Sequence, residues 1–367
     1  MLNSLGRFGA AAAAPILLNL CLIAALVVAT PLMPSAGHAL SWGVFAAGVA
    51  QYLYLWWDLR KAGMGLRLVR PRWTPGVKRF LAVLGPAMLG SGLTQINLFV
   101  DTLVASMLPT GAVSYLYYAD RLNQLPLGVI GIAVGTVLLP EMAKRIKSGD
   151  EAGAVESQNR AVELSLVLTL PAAMAFLVAG LPIVSVLFQH GAFGPGDARA
   201  SAATLQAYAL GLPAFVVLRS LVNGFYARQD TATPVRVALA ATVVNVALKL
   251  ALMGPLAQVG LAVATSVAAW VNAGLLALLL HRRGLFRADA RLGRNLPRMA
   301  VAAALMGGAL WLAQEVLSPW LTASALVERL AALVLLGIAG LAVYGGAALA
   351  LGLLRRSDLN RLRRRRS

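Results

Sequence analysis

Ten apolar runs lie at about 9–33, 39–57, 80–107, 112–140, 161–188, 200–226, 235–253, 258–280, 298–317 and 328–354. Each is near or above the ~20 residues that carry a helix across a bilayer. Only 13% of the 367 residues are charged, against about 25% in soluble domains. One soluble core is therefore excluded, and the fold class expected is an all-α polytopic membrane protein of about ten transmembrane helices.

The connections between the runs alternate in kind. Arg60, Lys61, Arg67, Arg70, Arg72, Lys78 and Arg79 follow the second run, and Lys144, Arg145, Lys147 and Arg160 the fourth. Arg228 and Arg236 follow the sixth, and Arg282, Arg283, Arg287, Arg291, Arg294 and Arg298 the eighth. Arg355, Arg356, Arg361 and Arg363 to Arg366 follow the tenth. The other connections are nearly free of Lys and Arg; Arg199 lies inside one and Arg329 at the edge of another. The positive-inside rule then places both termini of this chain in the cytoplasm, and one missed span would have reversed the pattern from that point on. The net charge of +18 resides at the ends of apolar runs, which fits membrane topology and anionic membrane lipids as partners, with no nucleic acid. The terminal arginine cluster reads as an anchor on anionic lipid, worth ~1 kcal/mol per charge near the surface; recruitment of a cell-wall synthesis protein is its alternative. Cys21 is the single cysteine, so no internal disulfide forms, and it has no neighbours with which to bind a metal. Residues 1–8 hold only Arg7, and no signal-peptide cleavage pattern follows.

Inside the fourth run, Asp120 and Arg121 sit well within the bilayer depth. A charge there costs at least ~2.5–3.5 kcal/mol and marks a bundle interior or a water-filled cavity. Neighbours on a helix point roughly 100° apart, so the two do not simply neutralise each other. Ser114, Tyr117 and Arg121 share one face, and Asp120 shares another with Asn123 and Gln124. In the third run Thr94, Asn97 and Asp101 share a face; the seventh carries Asn245 and Lys249 one turn apart, and the eighth Thr265, Ser266 and Asn272. Asp101 and Lys249 are each costly alone, so pairing across helices is favoured, either as a static bridge or as an ion or proton site. Arg219 in the sixth run is expected to snorkel towards the cytoplasmic interface. Tyr54, Trp56, Trp57, Trp73 and Trp320 read as interfacial anchors. Gly and Pro recur in the third to sixth runs, which allows close packing or helices that bend between states. No HExxH, Walker A or GxSxG is present, the three histidines are far apart, and no acid, base or metal-ligand constellation appears. A transporter without cofactor is expected, and an enzyme is disfavoured.

Particular segments carry a family likeness. They are Gly85-Pro86 to Gly90, Thr94-Gln95-Ile96-Asn97, Asp101 to Ser106, Tyr117-Tyr118-Ala119-Asp120-Arg121-Leu122, and Leu125-Pro126 to Pro140. Further on stand Leu187 to Phe193 and Gly224-Phe225-Tyr226-Ala227-Arg228-Gln229-Asp230 with Thr233-Pro234. Together they resemble the MurJ (MviN) lipid II flippases of the MOP exporter superfamily. The resemblance implies a bacterial inner-membrane flippase that moves lipid II, the undecaprenyl-pyrophosphate-linked peptidoglycan precursor, from the inner to the outer leaflet. It implies a MOP/MATE-like bundle whose full form has fourteen helices in two lobes around a cationic cavity. Arg121 matches the family's cavity arginine, with Asp120 and Ser114 at cavity-region positions on the same helix. A guanidinium is suited to hold a pyrophosphate by bidentate, charge-assisted hydrogen bonds.

On this likeness 1–57 are the last two helices of the N-terminal lobe, 58–79 a basic cytoplasmic linker, and 80–226 second-lobe helices lining the cavity. Residues 227–253 are a cytoplasmic turn and the next lobe helix, 254–280 the last lobe helix, and 281–367 two extra helices with a basic tail. On the same likeness the chain is expected to start at the family's fifth helix and so to lack four helices needed for flipping. Some relatives bind sodium where Asp101, Asn245 and Thr265 match the ligand pattern. Here Lys249 stands where a second carboxylate belongs, so no sodium site is expected, and membrane potential or protons are the expected drive. The rivals are another MOP exporter (an O-antigen or teichoic-acid precursor flippase, or a drug antiporter), a scaffold for cell-wall enzymes, and a membrane enzyme.

Overall fold

The computed structural model describes residues 8–63, 73–74, 77 and 99–353, with backbone alone at 8–12 and 132–140. All described regular structure is helical. Two compact units divide the chain, Met1–Val83 and Leu84–Ser367.

In the first unit, α1 (Phe8–Ala24) continues through a π turn, Ala25–Ala29, and a 3-10 turn, Thr30–Leu32. It packs on α2 (Ala36–Lys61), whose Ser35 cap accepts the His38 N–H. Gln51 Nε2 donates to the Ala14 carbonyl at 3.0 Å, so a polar side chain on α2 is satisfied within the pair. Arg60 and Lys61 lie over the rings of Trp56 and Trp57, as expected where a helix leaves the apolar layer.

In the second unit a helical stretch at 99–106 precedes α3 (Ala112–Lys147), α4 (Glu151–Phe188), α5 (Pro195–Ala209), α6 (Leu212–Tyr226), α7 (Ala232–Arg282), α8 (Ala290–Leu321) and α9 (Leu326–Ala350). α3 has 36 residues, roughly 54 Å at 1.5 Å per residue. It therefore outreaches a ~30 Å hydrocarbon layer, and its basic last turn, with Lys144, Arg145 and Lys147, lies beyond the run read from sequence. α4 likewise starts ten residues before its apolar run, capped by Asp150, whose carboxylate accepts the Gly153 N–H.

α7 spans 51 residues, which as a straight rod would measure roughly 77 Å. Its two ends nevertheless meet. Arg283 Nη1 lies 2.7 Å from Asp230 Oδ2 and Nη2 lies 3.1 Å from Thr233 Oγ1. The helix is therefore a hairpin, folded at Ala257 (φ 48°, ψ −130°) just after Pro255. That backbone is close to the first central position of a type II′ turn, normally taken by Gly. At Gly260 an added Cβ would lie 2.4 Å from the Leu252 carbonyl oxygen, so the legs touch backbone to backbone. At the end opposite the turn Asp230 accepts the Thr233 N–H and hydroxyl. Hydrogen bonds from the Thr233 side chain and from Arg283 hold the Asp230 carboxyl down to about 2.

The two legs of α7 carry the runs 235–253 and 258–280. α5 and α6 share the run 200–226 and break at Leu210–Gly211, two residues before Pro213. Among the described residues six helical stretches are long and apolar enough to cross a membrane. Counting both legs of α7, together with α2 and α3, nine of the ten runs lie on described helices. The third, 80–107, lies mostly outside the described residues, as do the basic residues Arg67 to Arg72 and the terminal arginines.

α4 is the hub of the second unit, touching α3, α5, α6, α8 and α9. Leu166, Met299, Met306, Leu310, Leu336 and Tyr344 form the largest apolar cluster, where α4, α8 and α9 meet. Tyr344 donates its hydroxyl to the Val167 carbonyl at 2.7 Å. Polar groups fasten the same helices at the basic end. Buried Glu163 accepts from Arg160, from Arg291 at 3.2 Å and from Asn295 at 2.6 Å. Arg160 also reaches Asp289, the cap of α8, which accepts the Leu292 N–H. Burial works to raise the Asp289 carboxyl, but the Leu292 N–H and the Arg160 guanidinium outweigh it and hold the carboxyl below its ordinary value.

Candidate functional site

α3 presents two polar faces because Asp120 and Arg121 are sequential on a helix. Asp120 turns towards α7 and the 99–106 stretch, and Gln124, one turn on, donates to its carboxylate. Tyr117, Asp120 and Gln124 line a cavity of about 300 Å³ together with Asp101, Lys249, Thr265 and Tyr208. Six of the residues singled out from sequence thus meet in one cavity within the second unit. Lys249 is 1% exposed, and its ammonium donates to the Asp101 carboxylate. Thr265 spends its hydroxyl on the Leu261 carbonyl at 2.9 Å, as a Ser or Thr inside a helix commonly does.

Arg121 and Ser114 lie outside this cavity, and both are exposed. The Arg121 guanidinium sits 4.6 Å from the centre of the Tyr117 ring, and among the described residues no carboxylate forms an ion pair with it. Asn123 is 3% exposed, and its side-chain carbonyl has no partner among the described residues, so it packs inside the bundle. Asn245, one turn before Lys249, also has a buried Oδ1 with no partner among the described residues. Asn97 lies outside the described residues.

Arg219 departs from its expected course. Its Nη1 donates to the Leu127 carbonyl on α3 at 3.3 Å. An added Cβ on Gly131 would lie 1.9 Å from that nitrogen. The glycine notch accepts the guanidinium across the helix pair, which a side chain extending along its own helix would not need.

Sequence reasoning passed over Tyr208, whose ring carries no charge to flag it. It passed over Glu163 as well, because a carboxylate at the edge of an apolar run looks like an interfacial residue until its arginine partners converge.

Comparison with known proteins places this arrangement. The sequence model of the family described as lipid II flippase MurJ matches residues 1–331. The chain belongs to the MurJ family. The probable lipid II flippase MurJ of Rhizobium meliloti (strain 1021) is 47% identical over 356 residues, 96% of this chain and 66% of that protein. The Vibrio cholerae protein of the same description is 36% identical, over 96% of this chain and 66% of its own length. The lipid II flippase MurJ of Burkholderia cenocepacia is 33% identical, over 84% of this chain and 60% of its own length. The chain spans about two thirds of the length of the curated relatives it matches. In fold it resembles a solved lipid II flippase MurJ in an inward closed conformation, with a TM-score of 0.76 at 22% identity, over 95% of this chain and 68% of that one. The chain is thus a multi-pass membrane protein of a transporter family, with a MurJ-type helical bundle.

Proposed function

We propose that this chain acts in the transfer of lipid II from the inner to the outer leaflet of a bacterial inner membrane, as a transporter and not an enzyme. The observation that carries this reading is Arg121. It is a guanidinium in the apolar part of α3, exposed, stacked on Tyr117 and in no ion pair with a carboxylate among the described residues. An unspent guanidinium at that depth is costly unless an anion visits it. A diphosphate offers the planar pairs of oxygens that it binds best. The adjacent cavity, with Asp120 and Gln124, adds acceptors and donors for the uncharged part of a polar headgroup. The alternating basic connections support a topology with both termini of this chain in the cytoplasm.

Lys249 supports a drive other than sodium. Its ammonium neutralises Asp101 from within, and a monovalent cation gains little from a carboxylate already paired. Sodium added to the purified protein is expected to shift its melting temperature no more than potassium does.

The deciding experiment is complementation in cells depleted of their own lipid II flippase. Three versions are compared: this chain, this chain preceded by the upstream helices of a full-length relative, and that longer chain with Arg121→Ala. Growth restored by the longer wild-type version and lost with Arg121→Ala, at equal membrane abundance, is the expected result. No rescue by any inserted version transfers the reading to another lipid-linked oligosaccharide or another MOP-type substrate.

A further inference from the structure

A second cavity, of about 400 Å³ and with none of its lining shared with the first, lies where α4 ends, α8 ends and α9 begins. It opens at the end of the bundle whose connections are nearly free of Lys and Arg, yet Arg329 lines it. That placement breaks two rules together. A cation on this side opposes the charge asymmetry of the chain. A cation in the first turn of α9 also faces the positive end of the helix dipole. A residue kept in so unfavourable a place needs a local partner, and the protein supplies only part of one. Arg329 Nη2 donates to the Ser185 carbonyl at 2.5 Å, Nε is buried, and Nη1 makes no hydrogen bond among the described residues. The guanidinium therefore retains donors beside an open, polar space.

The same cavity holds one carboxylate, Glu315, which is exposed and makes no ion pair with Arg329 or with any other described residue. Gln189, Ser318 and Thr322 complete the polar lining. Leu181, Val316, Trp320, Leu326 and Val327 stand exposed around these helix ends, with Trp320 at interfacial depth. A cation and a carboxylate set apart across one cavity, flanked by lipid-facing apolar side chains, match a molecule that carries both charges on a short polar head and has an apolar body.

We propose that this cavity binds the headgroup of a zwitterionic aminophospholipid, with its phosphate on Arg329 and its primary ammonium at Glu315. The volume falls in the range of small-ligand sites. The pairing explains why the two side chains remain apart instead of closing on each other. The proposal is independent of the substrate carried past Arg121.

The test is native mass spectrometry of the full chain in detergent, titrated separately with phosphatidylethanolamine, phosphatidylcholine, phosphatidylglycerol and water-soluble glycerophosphoethanolamine. Phosphatidylethanolamine is expected to bind best. Arg329→Gln should weaken all three phospholipids by about tenfold, the loss of one charge-assisted contact. Glu315→Gln, at an exposed position that folding does not depend on, should remove the preference for ethanolamine over choline and leave phosphatidylglycerol unchanged or stronger. Arg199→Gln, on the same side but outside the cavity, should change nothing. Equal binding of all lipids to the wild type and both variants would overturn the proposal. So would a wild-type preference for phosphatidylglycerol, which would leave Glu315 without a role. Equal binding of the soluble headgroup would overturn the lipid assignment and make the site one for free phosphoamines.

Discussion

Arg121 and Lys249 are both cations at membrane depth, and their surroundings give them opposite tasks. Lys249 is sealed in the bundle against Asp101, so its charge is spent on the fold. Arg121 is exposed and forms no ion pair among the described residues, so its donors are available. Lys249→Met is therefore expected to lower the melting temperature strongly. Breaking a buried ion pair costs about 3–5 kcal/mol, and the half-exposed Asp101 carboxylate draws this case towards the low end. Restoring neutrality with Asp101→Asn in the same chain should recover part of the loss, read as coupling in a double-mutant cycle. Arg121→Met should leave the melting temperature nearly unchanged while abolishing rescue of growth. Arg121→Lys should rescue weakly, because an ammonium keeps the charge and loses the bidentate geometry.

Between elements, stability is set by how helix ends are fastened. Glu163→Ala strands Arg160, Arg291 and Asn295 around an empty place. About 3 kcal/mol should be lost, with α8 detaching first, read as early proteolysis in the 283–289 connection. The α7 hairpin carries two opposite predictions. Ala257→Gly relieves a positive-φ alanine and should raise stability by about 1 kcal/mol. At the other end the Asp230 carboxyl is depressed to about 2 in the fold, against about 3.9 when unfolded. Its contribution is therefore whole above about pH 4 and disappears as pH falls towards 2. Asp230→Asn should lower the melting temperature at neutral pH and flatten its fall across that window. The hairpin also shows what the sequence could convey. The apolar period and Pro255 announce two spans, since each leg needs its own run to cross. The fold at Ala257 is silent, because alanine is not the residue such a backbone favours. The same reason explains Arg219: its notch depends on Gly131, 88 positions earlier in the chain, and nothing local links the two.

For the molecule as a whole, the alternation of basic and nearly basic-free connections predicts a topology that labelling can read. With Cys21→Ser as background, Ser324→Cys should react with an impermeant maleimide in intact cells, and Ala288→Cys only after permeabilisation. Both positions are exposed. The reverse pattern would overturn the assignment of sides. Within the candidate site the charged residues were legible from sequence, because charge in an apolar run is conspicuous. Their grouping was legible only in part: Asp101 and Lys249 advertise each other, whereas the separation of Arg121 from Asp120 into different surroundings depends on where α7 lies. The Asp101–Lys249 pair also has a consequence in time. The partners are 148 residues apart, and a ribosome adding 5–20 residues per second takes some 7 to 30 s to produce the second after the first. Three further spans enter the membrane in that interval. Until residue 249 is made, Asp101 lacks the ammonium that it meets in the fold, so a chain that stalls before residue 249 is expected to be cleared faster than one that stalls just after it.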